Sequence, residues 1–236
     1  MTERGARLVK RGAGRFEIGP SSVAWEGGEL VIRVCEWAVP LPRRVVGEIR
    51  VRPQVQPGLE LVLDAGGGHV WQPVAPVARV SVRLDSPRLS WEGAAYLDHN
   101  HGAEPLEAGF RRWTWSRAHR PDGGCTVLYD ASPRRGARRR FALSIAPDGT
   151  VRDLPAPPPA PLPGTIWRVP RETGCDIGAR PELVATFEDT PFYNRSRVRT
   201  VVDGQVLDGF HESLDLDRFA SPWVRMLLPF RMPRTT

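Results

Sequence analysis

Short apolar runs, each ended by a turn signal, recur along the chain. They include Leu30–Val34, Val45–Val51, Leu59–Leu63, Val77–Leu84, Trp113–Arg117, Thr126–Tyr129, Arg140–Ile145, Val184–Phe187, Val198–Val202 and Trp223–Leu228. Several alternate apolar with polar residues, which places every second side chain on one face of a strand. Between them stand Gly27-Gly28, Gly66-Gly67-Gly68, Asp122-Gly123-Gly124, Asp148-Gly149 and Asp203-Gly204, residues that reach the positive φ angles of tight hairpins. No long stretch joins helix formers to an apolar stripe at helical spacing. The pattern predicts an all-β chain, an antiparallel barrel or sandwich, with little helix.

Two places break this texture. Gly66-Gly67-Gly68 reads as a junction between two β units. Leu154–Gly164 (LPAPPPAPLPG) reads as a stiff extended connector that joins no ladder, since proline has no N–H to donate. It divides two domains or forms a long loop within one barrel; the pattern fits both.

Charge raises the question of an acidic partner. The formal net charge is +6 and the pI about 10.0, a balance that suits nucleic acid or an anionic membrane. Yet Lys10 is the single lysine, and arginine is concentrated only at Arg134–Arg140 (RRGARRR), between two strand runs. A solvated hairpin loop is the ordinary reading there, and no nucleic-acid partner is expected. Cys35, Cys125 and Cys175 are odd in number and lack paired spacing, so neither a disulfide framework nor a zinc site follows, and a reducing cytoplasm is expected. No apolar run reaches the ~18 residues of a membrane-spanning helix, and MTERGARLVKRG lacks the apolar stretch of a signal peptide.

The densest polar and aromatic cluster is GAAYLDHNHG (Gly93–Gly102), followed by Phe110 and Trp113-Thr-Trp115-Ser-Arg117. On an extended strand Tyr96, Asp98 and Asn100 point one way, while Leu97, His99 and His101 point the other. Trp113, Trp115 and Arg117 share a face of the next strand. A carboxylate among such rings is expected to have a raised pKa; ordinary strand-end bonding of Asp98 fits the pattern equally well. His99-x-His101 follows Gly93 at the spacing of a cupin metal motif, but Pro105 and Leu106 stand where the next ligand belongs, so no metal is expected. Upstream, His69 and Trp71 alternate onto one face.

Here several long words, in order, carry a family likeness: HVWQPVAPVARV, GAAYLDHNHGAEPLEAGFRRWTWSRAHRPDGG, LYDASPRRG, DTPFYNRS and HESLDLDRFASPWVRMLLPFRMPR. Together they resemble the carotenoid 1,2-hydratase (hydroxyneurosporene synthase) family from about residue 15 to the C-terminus. The resemblance implies a calycin-type architecture of two lipocalin-like barrels in tandem. It implies cofactor-free hydration of the terminal C1=C2 bond of acyclic carotenoids such as neurosporene or lycopene. The family's catalytic set falls on His69, Trp71, Tyr96 and Asp98. Family members carry a further aromatic-rich N-terminal stretch, whereas this chain opens on MTERG, which resembles an internal segment. Residues 1–65 are therefore expected to form the remnant of a first barrel, and 66–236 the second.

In that reading Asp98 protonates C2, Trp71 and Tyr96 stabilise the tertiary cation at C1, and His69 orients the attacking water. Asn100, His101, Trp113, Trp115, Tyr193 and His211 are candidate pocket residues. The substrate dwells in a bilayer, and Trp223–Arg231 mixes apolar anchors with positive charge; a buried last strand with a basic tail is the preferred reading of that segment, and peripheral contact at the inner membrane is the alternative. A lipocalin-like cyclase or pericyclase acting on a terpenoid or polyketide, and a non-catalytic lipid-binding fragment, are the alternatives.

Overall fold

The computed structural model describes residues 3–38, 42–227 and 234–235. Its strands begin with β1 (Glu3–Arg4), β2 (Val9–Arg11), β3 (Arg15–Ile18), β4 (Ser21–Glu26), β5 (Glu29–Ala38), β6 (Arg43–Val55) and β7 (Leu61–Val62). The long strands β8 (His69–Ser86) and β9 (Leu89–Gly102) follow, then β10 (Phe110–His119), β11 (Cys125–Pro133), β12 (Arg139–Ile145) and β13 (Val151–Asp153). The last are β14 (Pro159–Pro161), β15 (Glu172–Gly174), β16 (Glu182–Asp189), β17 (Tyr193–Val202), β18 (Gln205–Asp215) and β19 (Arg234–Thr235). Among the described residues, helix is confined to a single 3-10 turn (Ala6–Leu8) and the short α1 (Leu106–Gly109), α2 (Leu216–Ala220) and α3 (Pro222–Leu227). The all-β antiparallel expectation holds.

The glycine turns act as their composition requires. Gly27, Gly28, Gly67, Gly123, Gly149 and Gly204 all have positive φ, where a Cβ would collide with the backbone. One expected strand is absent: Trp223–Leu227 is helical, with Leu228 outside the described residues. Pro222 explains the difference, because proline in the first helical turn has φ already set and no N–H to lose.

The chain forms two compact units. The first groups Met1–Val55, Ala75–Leu97 and Arg225–Thr236; the second groups Gln56–Val74 and Asp98–Val224. Residues 75–97 thus pack with the first unit, whereas the sequence division near residue 65 put them with the second. In the first unit β2 to β6 form an antiparallel meander that β8 extends. Its core is Val51, Ala75, Ala78 and Ala95, with Leu30, Ile49, Val80 and Leu97 against them.

In the second unit seven antiparallel strands run in the order β13-β12-β11-β10-β18-β17-β16. Strand β17 shows how the sequence sets its faces: Asn194, Ser196, Val198, Thr200 and Val202 are buried, while Arg195, Arg197 and Arg199 are exposed. The exposed arginines pair with Glu212, Asp208 and Glu182 on neighbouring strands. On the buried face Ala118, Ala142, Leu154, Val202 and Leu207 form a core with Leu128 and Ala156.

The proline-rich connector lies over that face and corrects the expectation that it joins no ladder. Pro159–Pro161 pairs antiparallel with Glu172–Gly174 as β14 and β15. Proline carbonyls still accept: Cys175 N–H donates to Pro158 O at 3.1 Å. Arg171, 6% exposed, ties the connector down. Its guanidinium donates to the carbonyls of Pro163 and Gly164 and to Ser196 Oγ and Thr186 Oγ1, so each N–H of a buried cation has a partner.

Gly209 of β18 lies opposite Ala118 of β10. A Cβ at 209 would strike Arg117 O and stand 2.8 Å from Ala118 Cα. Gly209→Ala should therefore force the two strands apart and destabilise the protein by about 1–3 kcal/mol, measured by urea unfolding.

Candidate active site

Strand β9 pairs with β8, and two side chains bond across them. The Trp71 indole N–H donates to Asp98 Oδ2 at 2.8 Å. Trp71 is fully buried and Asp98 half-buried. Indole nitrogen only donates, so Oδ2 is fixed as an acceptor, and a proton bound to Asp98 belongs on Oδ1. A bond between a neutral donor and a carboxylate is stronger than one between neutral groups.

A chain of rings surrounds this bond. Tyr129 lies 5.2 Å from Trp71 and 6.2 Å from Trp113, and Phe110 lies 6.1 Å from Trp113 and 4.8 Å from His69, centroid to centroid. Such spacings are those of favourable tilted and edge contacts. The Tyr129 hydroxyl donates to Asn100 Oδ1 at 3.3 Å. Burial, then the nearby charge of Asp98, pushes the Tyr129 phenol above its ordinary range, so it remains a neutral donor. Tyr96 is half-buried, two positions before Asp98 on the same side of β9.

His69 stands at the start of β8, 2% exposed. Its Nδ1 lies 2.8 Å from Asp64 Oδ2 and its Nε2 3.2 Å from Glu104 O. Two glycines make the slot for its ring: a Cβ on Gly102 would come within 2.5 Å of His69 Cδ2, and one on Gly109 within 2.5 Å of Cε1. Asp64 also accepts from Gly66 N–H at 2.8 Å and Gly68 N–H at 3.0 Å, closing the glycine turn. Burial alone would raise the Asp64 pKa; the bonds from His69, Gly68 and Gly66 outweigh it and leave the carboxyl below its ordinary value.

The remaining candidates divide between the two faces of the second unit's sheet. Trp115 lies opposite Tyr129 and Trp113 opposite Ala131, so both indoles share the ring face. Tyr193 is opposite Leu214, which is opposite Trp113; burial, then Glu212, raises its pKa. His211 points to the other face. It is fully buried, and its Nε2 lies 2.9 Å from Glu172 O. Burial pushes its pKa down to about 4, so the ring is neutral near pH 7 and donates from Nε2. His99 and His101 are exposed and stacked at 5.2 Å. Among the described residues, no group of three or more His, Cys, Asp and Glu could hold a metal ion.

Two residues of the cluster were not singled out from the sequence. Tyr129 reads only as the end of an apolar run, and its partners lie 29 and 58 positions upstream. Asp64 did carry a signal: aspartate two residues before a glycine commonly bonds the backbone ahead of it.

Residues 1–236 match the family described as carotenoid hydratase CrtC. The chain is similar to the acyclic carotenoid 1,2-hydratases of Thiocapsa roseopersicina (49% identity over 235 residues) and Rubrivivax gelatinosus (44% over 234). Each comparison covers 99% of this chain and 58% of the relative, so the chain spans 58% of their length. The Rhodobacter capsulatus hydratase is 40% identical over 236 residues, 99% of this chain and 83% of that protein. Among solved structures, kievitone hydratase from Nectria haematococca gives a TM-score of 0.51 at 13% identity, over 86% of this chain and 71% of that one, a likeness of fold alone. The chain belongs to the carotenoid hydratase CrtC family.

Proposed function

We propose that this chain adds water across the terminal C1=C2 bond of an acyclic carotenoid such as neurosporene or lycopene, with Asp98 as acid and then base, and with no cofactor. The observation that carries the reading is the Trp71–Asp98 bond within a ring cluster. An isolated alkene is a poor base, so the acid must be neutral and dry when it meets the double bond. Asp98 is half-buried, and an apolar chain laid against it would remove its remaining water and favour the protonated form. The Oδ1 proton passes to C2, and the π electrons form the new C–H bond. The tertiary cation at C1 then takes a water oxygen, and that water's proton returns to the Asp98 carboxylate, restoring the acid.

The half-buried rings of Tyr96, Trp113 and Trp115 stabilise the cation, each by about 2 kcal/mol or more when desolvated. Asn100 is exposed beside Tyr129, and its amide orients the incoming water. Burial alters two roles drawn from the family likeness. Trp71 has no exposed surface, so it acts on Asp98 through its N–H. His69, with both ring nitrogens facing oxygens, holds the glycine turn to the end of β9 and acts by positioning. The chain works in the cytoplasm, at the inner face of the membrane that holds its substrate.

Three substitutions test this. In a lycopene-accumulating host, Asp98→Asn should lower hydrated product by about 10²- to 10⁴-fold with the fold unchanged. Incubation of the purified chain in heavy-oxygen water should place the label in the tertiary alcohol. Rearranged product without label would instead mean a cyclase.

Trp71→Phe keeps a ring but removes a donor to the carboxylate. Loss of that bond, about 1.5–3 kcal/mol, makes the charged form less favourable and raises the Asp98 pKa. The alkaline limb of the rate profile should therefore move to higher pH.

Asp64→Asn removes a carboxylate whose folded pKa lies below its unfolded one. Its stabilisation is present above the unfolded value, near 3.9, and is lost as pH falls through the folded value. The variant should be less stable by about 1–3 kcal/mol near pH 7, and the gap should narrow below about pH 4, measured by urea unfolding.

A further inference from the structure

The second unit carries an apolar surface that the proposed chemistry does not use. Thr165–Arg168 is a tight turn, closed by Arg168 N–H donating to Thr165 O at 3.0 Å, and its two central residues are Ile166 and Trp167. Turn tips are ordinarily polar, yet Ile166 is 90% exposed and Trp167 42%. The turn is firmly held. Ile166 N–H donates to Asp189 Oδ2 at 2.8 Å, Val169 N–H to Thr165 Oγ1 at 3.0 Å, and the Arg218 guanidinium to Trp167 O. Beside it, Trp223 of α3 is 45% exposed, with its ring 6.3 Å from that of Trp167. Phe192 and Phe219, 5.0 Å apart, are half-buried.

Charge narrows the choice of occupant. Arg168 is exposed, with φ of +54°. The sequence from Trp223 onward holds Arg225, Arg231 and Arg234 and no acid. Three acids near the turn are engaged: Asp215 caps α2 by accepting from Arg218 N–H, Asp217 pairs with Arg134 at 2.6 Å, and Asp189 holds the turn. Two indoles and an isoleucine beside the exposed Arg168 match the boundary of an anionic bilayer, where indole rings sit at headgroup level and guanidinium groups meet phosphate.

We propose that Ile166, Trp167 and Trp223, flanked by Arg168, form the surface by which this chain docks on an anionic membrane. The Ile166–Trp167 turn does most of the insertion. The turn carries no such signal in the sequence, where membrane contact is an alternative reading of Trp223–Arg231 alone. The surface also adjoins the site: Arg134 pairs with Asp217 of α2 and donates to Glu107 O of α1 at 2.7 Å, and Gly109 at the end of α1 walls the His69 ring. The partner follows from the proposed polyene substrate, but the test does not depend on hydration.

The 236-residue chain would be floated with vesicles of phosphatidylcholine alone and of phosphatidylcholine mixed with phosphatidylglycerol. The expected result is preferential flotation with the anionic vesicles, weakened by salt, and a partition at least about tenfold lower for Ile166→Ser/Trp167→Ser. A separate Trp223→Gln variant should show a smaller loss. All three side chains are substantially exposed, so the thermal midpoint should hold, and hydration of detergent-dispersed lycopene should be unchanged. Wild type that ignores both vesicles, or a double variant that floats like wild type, overturns the proposal. So does a wild-type dimer that the double variant converts to monomer without any vesicle binding. Patch-dependent flotation in a chain that hydrates nothing would keep the docking surface and remove the hydratase reading.

Discussion

One hydrogen bond gives the Asp98 carboxylate its orientation. The Trp71 N–H reaches Asp98 Oδ2 from the neighbouring strand, and because indole cannot accept, the bond distinguishes the two carboxylate oxygens. It also sets a conflict. A donor on the carboxylate favours the ionised form, whereas protonating an alkene needs the neutral one. The same contact that aims the acid opposes its protonation until something else shifts the balance.

What keeps that bond in place is a second arrangement with little tolerance. His69 is clamped between Asp64 and the Glu104 carbonyl, and its ring lies where Gly102 and Gly109 leave room. Trp71 lies two residues along the same strand, so the clamp fixes where β8 begins and which way Trp71 points. The glycines matter here for absent volume, since neither has positive φ. Asp64 works through the backbone as well as through the ring, gathering Gly66 and Gly68 N–H into one acceptor. Buried polar groups with every partner supplied give a fixed geometry; with one removed they destabilise it.

Much of the fold was legible because strand periodicity and turn chemistry are local. Alternation in β17 and the positive-φ glycines could be read directly. The face shared by Tyr96, Asp98 and Asn100 was legible for the same reason, and Asp98 and Asn100 do meet the ring cluster, through Trp71 and Tyr129. Three things were not legible. Trp223–Leu227 has strand-like composition, but Pro222 and the short reach of the segment make it helical. The proline connector pairs through carbonyls, which a rule about missing donors overlooks. His211 resembles the other candidate histidines in sequence, yet register turns it to the opposite face, against Glu172. Tyr129 is visible only once distant strands meet. The arginine-rich charge also resolves locally: Arg33, Arg50 and Arg52 pair with Glu26, Glu48 and Glu29 as the β17 arginines do with their neighbours. Each exposed pair contributes little stability, but together they intersperse positive charge with carboxylates along these strands.

The conflict at Asp98 constrains how a hydratase on this scaffold must work. In the free chain the carboxyl is half-buried and holds an indole donor, and that donor favours its ionised form. An apolar substrate supplies the missing effect, because covering the group removes the water that stabilised its charge. In the proposed reaction the carboxyl is then protonated where a proton is needed, against the double bond. Trp71 and Tyr129 are already buried, so the wall that excludes water is built in advance on one side and completed by the polyene on the other. On this account the acidity belongs to the complex, and the protein contributes the aim.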